Sequence, residues 1–168
     1  VKATKYIMPN RTILEIRTAK DSQQTPEAAV QLFSSLSAIV RSTFLQRFQK
    51  QQPIISLEIA SLNQRVFFVV TCDPRHESLV KSQIAAQYPT AVITSMDDYL
   101  PAWSRHGSKS VGQIRLASSH YLPIKTYNKF TDTDPIAALL GVLGKTPPRT
   151  AAIIQILLTD APSNWTST

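Results

Sequence analysis

The segment GVLGKT, Gly141 to Thr146, carries the residue types of a phosphate-binding loop. In a P-loop of the form G-x-x-x-x-G-K-[S/T], the Lys and hydroxyl open a helix whose free N–H groups meet phosphate. Here the first glycine position is Leu139, and Pro147 and Pro148 follow directly. That context makes Gly144-Lys145-Thr146 the end of a helix, where carbonyls point outward, and predicts no nucleotide binding through Lys145.

The remaining chemistry-bearing residues are weighed the same way. Asp97 and Asp98, followed by Tyr99, have the types for a divalent ion or a general base, but a hard cation needs oxygens converging from several segments, so a solvated turn is expected. His76, His106 and His120 stand apart without a second ligand at metal spacing, and read as surface or capping residues. Cys72 is the only cysteine, which excludes an internal disulfide and predicts a small buried thiol. His76 follows it closely, but a helix start intervenes and no third orienting group is evident. Phe67 and Phe68 invite comparison with RNA-binding sheets, which stack bases on aromatics of two central strands. The two rings fall on opposite faces and the other central strand, ILEIRT, has no aromatic, so both are expected in the core. No catalytic residue, metal ligand or cofactor follows from these patterns.

Charge gives a broader hint. The 168 residues carry 18 basic and 11 acidic side chains, a net charge of +7, which permits a polyanionic partner without naming one. Lys2, Lys5 and Arg11 form a basic entry, and Arg41, Arg47 and Lys50 cluster at the end of the first helix. With Lys109, Arg41, Arg47 and Lys50 are the expected phosphate contacts if the chain binds DNA; as cations at a helix C-terminus they also suit the helix dipole. The 43% hydrophobic fraction is that of a globular protein, and no apolar run approaches the roughly 20 residues of a membrane span. Val1 in place of an initiator Met points to an N-terminus further upstream.

The elements that would position these residues follow from periodicity. RTILEIRTA alternates, with Leu14 and Ile16 on one face and Glu15 and Arg17 on the other. Thr25 and Pro26 open a helix, with Ala29, Val30, Leu32, Phe33, Leu36, Ile39 and Val40 as its apolar stripe. PIISLEIASL and RVFFVVTC are two strands turned at Asn63 and Gln64. Asp73 and Pro74 start a second helix lined by Leu79, Val80, Ile84 and Tyr88 and ended by Pro89, and TAVITSM supplies a fourth strand. This βαββαβ order predicts an α+β, ferredoxin-like sandwich over residues 1–100: an antiparallel sheet with both helices on one face.

Residues 101–110 read as a linker. Over residues 111–168, VGQIRLASSHYLPIKTY offers strand material, Asp134-Pro135 restarts the helix grammar with Ile136, Leu139, Leu140 and Leu143, and TAAIIQILLTD is a further strand. That is an incomplete second ferredoxin-like unit, a βαβ. Its bare edge must either dock on the first domain or await further sequence.

Taken together, Pro26-Glu27-Ala28-Ala29, the QIAAQYP ending of the second helix, the DDY after the fourth strand and the Asp134-Pro135 helix give the chain a family likeness. It resembles the region preceding the motor in type IV secretion or conjugative-transfer ATPases of candidate-phylum bacteria, over most of its length. The resemblance implies a P-loop DNA-pumping motor downstream and a location at the cytoplasmic face of the membrane, with no membrane contact in this chain. It carries no active-site residues. The expected role is a non-catalytic assembly domain whose partners are sister subunits or other secretion proteins, bound by strand addition to an open sheet edge. The alternative is a basic nucleic-acid-binding module.

Overall fold

The computed structural model describes residues 10–19, 24–41, 53–100, 107–118, 122, 124, 126–129 and 135–160. Strands β1 (Thr12–Arg17), β2 (Ile54–Leu62), β3 (Arg65–Cys72), β4 (Val92–Met96) and β5 (Ala151–Thr159) form one antiparallel sheet in the order β4-β1-β3-β2-β5. Helix α1 (Pro26–Ile39) joins β1 to β2, α2 (Glu77–Gln87) joins β3 to β4, and α3 (Pro135–Leu143) precedes β5. The chain is thus an α+β protein.

Period-two alternation sorts the strand residues onto two faces. On one, Leu14, Ile55, Val70 and Cys72 are buried beneath Leu36 of α1 and its C-cap Val40, and Val80 and Ile84 of α2, so both helices cover the same face. On the other, Ile13, Ala60, Phe67 and Val69 pack with Tyr99, which follows β4. The tight β2–β3 turn needs left-handed backbone at both corner residues, and Asn63 (φ 52°) and Gln64 (φ 69°) supply it. The two helix starts differ. Asp73 accepts the Arg75 N–H at 2.9 Å in the 3-10 turn Pro74–His76 that leads into α2, whereas Thr25 has extended cap geometry but makes no capping hydrogen bond. At the other end of α2, Tyr88 N–H donates to the Ile84 carbonyl at 2.8 Å, and Pro89 has no N–H to continue the helix.

The apolar stripes are narrower than expected. Val30 and Phe33 of α1 and Leu79 of α2 are exposed, because a helix lying on a flat sheet buries its central row, Leu36 on α1 and Val80 and Ile84 on α2, and leaves the flanks open. Phe68 corrects a further expectation: Phe67 is buried, but Phe68 is 39% exposed.

Of the expected second unit, the helix and the strand after it form, at Pro135–Leu143 and Ala151–Thr159. Residues 107–118 form no strand, and Val111 and Ile114 are almost fully exposed. The edge of β2 is occupied from Leu62↔Ala151 to Ile54↔Thr159 by β5, which is the richer in apolar residues. Of the two outcomes expected for an open half-unit, this strand shows docking onto the first sheet. Helix α3 is tied to the same sheet, since the buried Ser61 Oγ donates to the Leu143 carbonyl at 2.8 Å.

Candidate functional site

On the sheet face away from α1 and α2, register brings three segments to one carboxylate. Glu58, in the middle of β2, is 5% exposed. Its Oε1 accepts from Ser56 Oγ at 2.7 Å and from Gln155 Nε2 of β5 at 3.0 Å, and its Oε2 accepts from the Tyr99 hydroxyl. Burying a carboxylate is costly unless donors replace its hydration, and charge-assisted hydrogen bonds do so most strongly. All three donors are neutral, so the cluster ties β2, β5 and the segment after β4 together around one negative charge. Burial first, and then the Glu58 carboxylate, pushes the Tyr99 phenol above its usual range, keeping it a donor.

The segment carrying Tyr99 is itself held. Asp98 pairs with Arg11 and accepts the Leu100 N–H at 3.0 Å. The Tyr99 ring meets Phe67 edge to face at 5.5 Å between centroids. The Arg65 guanidinium lies over the Phe67 ring, 5.7 Å from its centroid, and pairs with Glu15 at 2.6 Å. These contacts make a closed, internally satisfied face. Asp97 and Asp98 are both exposed, as the solvated-turn reading expects, although Asp98 also pairs with Arg11; Tyr99 is buried and serves packing. Glu58, Ser56 and Gln155 had no motif to mark them, because their meeting depends on strand register.

The residues singled out for chemistry disperse. Cys72 is fully buried, and burial, with Glu77 and Asp73 nearby, pushes its thiol up to about 11. In the P-loop-like segment, the N–H groups of Gly144, Lys145 and Thr146 donate to the carbonyls of Leu140, Val142 and Leu143, so they close α3 rather than cradle an anion. Among the described residues no three His, Cys, Asp or Glu side chains converge as metal ligands. Of the expected phosphate contacts, Arg41 lies exposed just after the C-terminus of α1 and Lys109 is exposed in the segment 107–118; Arg47 and Lys50 lie outside the described residues, as do His106, His120 and Asp134.

Two surface features stand out. Strand β5 is an edge of the sheet, and no described strand pairs with its outer side. Its nine residues AAIIQILLT carry no charge and no proline, and Ile156 and Leu157, on opposite faces, are 52% and 47% exposed. Protein edges are ordinarily guarded by charge, proline or shortness. The opposite edge, β4, has five residues. The second feature is the end of the sheet at the β2–β3 turn, the end at which Arg17, Arg65, Lys145 and Arg149 lie.

No curated protein and no solved structure matches the chain. A family model does, over residues 3–168, and its description is a domain of unknown function, DUF8128. With a match that spans nearly the whole sequence, the chain belongs to the DUF8128 family.

Proposed function

We propose that the chain is a non-catalytic assembly domain of a type IV secretion-like translocase ATPase, joining sister subunits or other secretion proteins. The observation that carries the reading is the long, uncharged and half-exposed outer edge of β5, which offers main-chain N–H and C=O groups for strand addition. The exposed apolar flanks of the helix layer, Val30 and Phe33 on α1 and Val142 on α3, supply further contact area. The finer fold reading belongs with this. Residues 12–96 are a ferredoxin-like βαββαβ sandwich, a reading supported by the β4-β1-β3-β2 order and by two helices on one face, with β5 added on the β2 side.

In the intact translocase the domain would sit at the cytoplasmic face of the membrane, held there by other segments. Among the described residues no helix is long and apolar enough to cross a membrane. Sedimentation velocity at rising protein concentration tests the reading. The expected result is a mass that increases with concentration and an increase that Ile156→Lys abolishes, because a Lys at the centre of the edge must be desolvated or repelled on pairing. Wild type and variant that both stay monomeric throughout would refute edge-mediated association of sister subunits.

A further inference from the structure

The acidic and basic side chains of this chain are distributed unequally along the strands. At the end of the sheet where β3 finishes, Arg11 pairs with Asp98, Arg75 with Asp73 at 2.8 Å and Lys81 with Glu77 at 2.6 Å. At the opposite end three cations have no ion pair among the described residues. Arg17 closes β1 opposite Val92, and Arg149 leads into β5, whose Ala151 pairs with Leu62 beside the β2–β3 turn. Lys145 reaches the same end because Ser61, one residue before Leu62, holds the end of α3 through the Leu143 carbonyl. Arg17, Lys145 and Arg149 are exposed and make no ion pair among the described residues. Arg65 shares this end but is committed to Glu15.

The cations are also carried on fixed backbone. Arg149 has φ 64°, and its N–H donates to Asn63 Oδ1 at 3.0 Å, while Asn63 N–H donates to the Thr150 carbonyl at 3.1 Å. Two loops are thereby locked together, and the Lys145 N–H is held by the Val142 carbonyl at 3.1 Å. The strands bearing Arg17 and following Arg149 are three strand spacings apart, roughly 14 Å, so the cations are spread across the sheet end, with Arg17 on the face of Ile13 and the end of α3 that carries Lys145 on the helix-covered face of Ser61.

We infer that this sheet end, through Arg17, Lys145 and Arg149, contacts the phosphate backbone of a nucleic acid without reading its sequence. Exposed cations spread over a rigid sheet end, without ion pairs among the described residues, are complementary to a polyanionic backbone. The aromatic ring nearest this end on the second face, Phe67, is buried under Arg65, which leaves it unable to stack a base. The contact is independent of the β5 edge, and its loss would leave edge-mediated association unchanged.

The test is fluorescence anisotropy of the whole 168-residue chain with a labelled single-stranded and a labelled duplex DNA of mixed sequence, at 50 to 200 mM salt. Three phosphate contacts predict a fall in duplex affinity of about 40-fold over that range, and about 20-fold for the single strand. The triple variant Arg17→Gln/Lys145→Gln/Arg149→Gln should bind more than tenfold more weakly at low salt. A control with the same net charge, Arg41→Gln/Lys109→Gln/Lys129→Gln, should lose less than threefold. Lys145→Gln alone, an exposed change with little reach into the fold, should lower the salt slope by about one. Equal losses in the two triple variants, no binding at low salt, or binding to anionic phosphatidylserine vesicles but to neither DNA would each overturn the inference.

Discussion

Replacing Tyr99 by Phe tests whether the buried Glu58 cluster closes the second sheet face. The substitution keeps the ring, and with it the edge-to-face contact with Phe67, and removes only the hydroxyl that donates to Glu58 Oε2. Glu58 is 5% exposed, so water has little access to the abandoned lone pairs, while Ser56 and Gln155 already serve the other oxygen. A hydrogen bond to a charged buried group contributes about 1.5–3 kcal/mol net. The expected loss is therefore about 2 kcal/mol, which for a chain of this size lowers Tm by about 4–8 °C. Urea unfolding should show the midpoint falling at constant slope, since the surface exposed on unfolding is unchanged. A double-mutant cycle with Glu58→Gln should give a coupling of about 1 kcal/mol or more between the two sites. A loss below about 0.5 kcal/mol with no coupling would show that the carboxylate is hydrated and that the face is not sealed at Tyr99.

Two titrations carry further predictions. The Arg75 guanidinium holds the Asp73 carboxyl near 2, below its usual 3.8, so the stability it provides is full above about pH 4 and is lost as pH falls toward 2. Asp73→Asn, which can still cap, should flatten the acid limb of stability in that window, and an unchanged limb would contradict the pairing. The Cys72 thiol, raised from 9.0 to about 11 mainly by burial, adds stability that is full below pH 9 and fades as pH rises toward 11. At pH 8 the native thiol should react with a disulfide reagent orders of magnitude more slowly than the urea-unfolded chain, whereas similar rates would place it at the surface.

The sequence is legible where local pattern and tertiary packing agree. Leu14 and Ile16 alternate with Glu15 and Arg17 because β1 has one face under helices, and Asp73-Pro74 marks a helix start because the cap chemistry is local. It is illegible where a residue's role is decided by a distant neighbour. Glu58 sits in an otherwise apolar strand with nothing nearby in sequence to announce Gln155 and Tyr99, and only the β2–β5 register brings them together. The segment around Val111 and Ile114 has strand-forming residue types, but whether it pairs is decided by distant partners, and the place beside β2 is taken by β5. Arg41, Lys109 and Lys145 look alike in sequence. The fold brings Lys145 to the same sheet end as Arg17 and Arg149, which no spacing along the chain could indicate.

Amide hydrogen exchange along Ala151–Thr159 addresses the assembly role most directly. In dilute solution an open edge predicts alternation: N–H groups turned toward β2 exchange slowly, those turned outward exchange quickly, and the outward set slows as the chain associates. Uniformly slow exchange along the strand at every concentration would mean that the edge is already covered within one chain, leaving strand addition no place to occur.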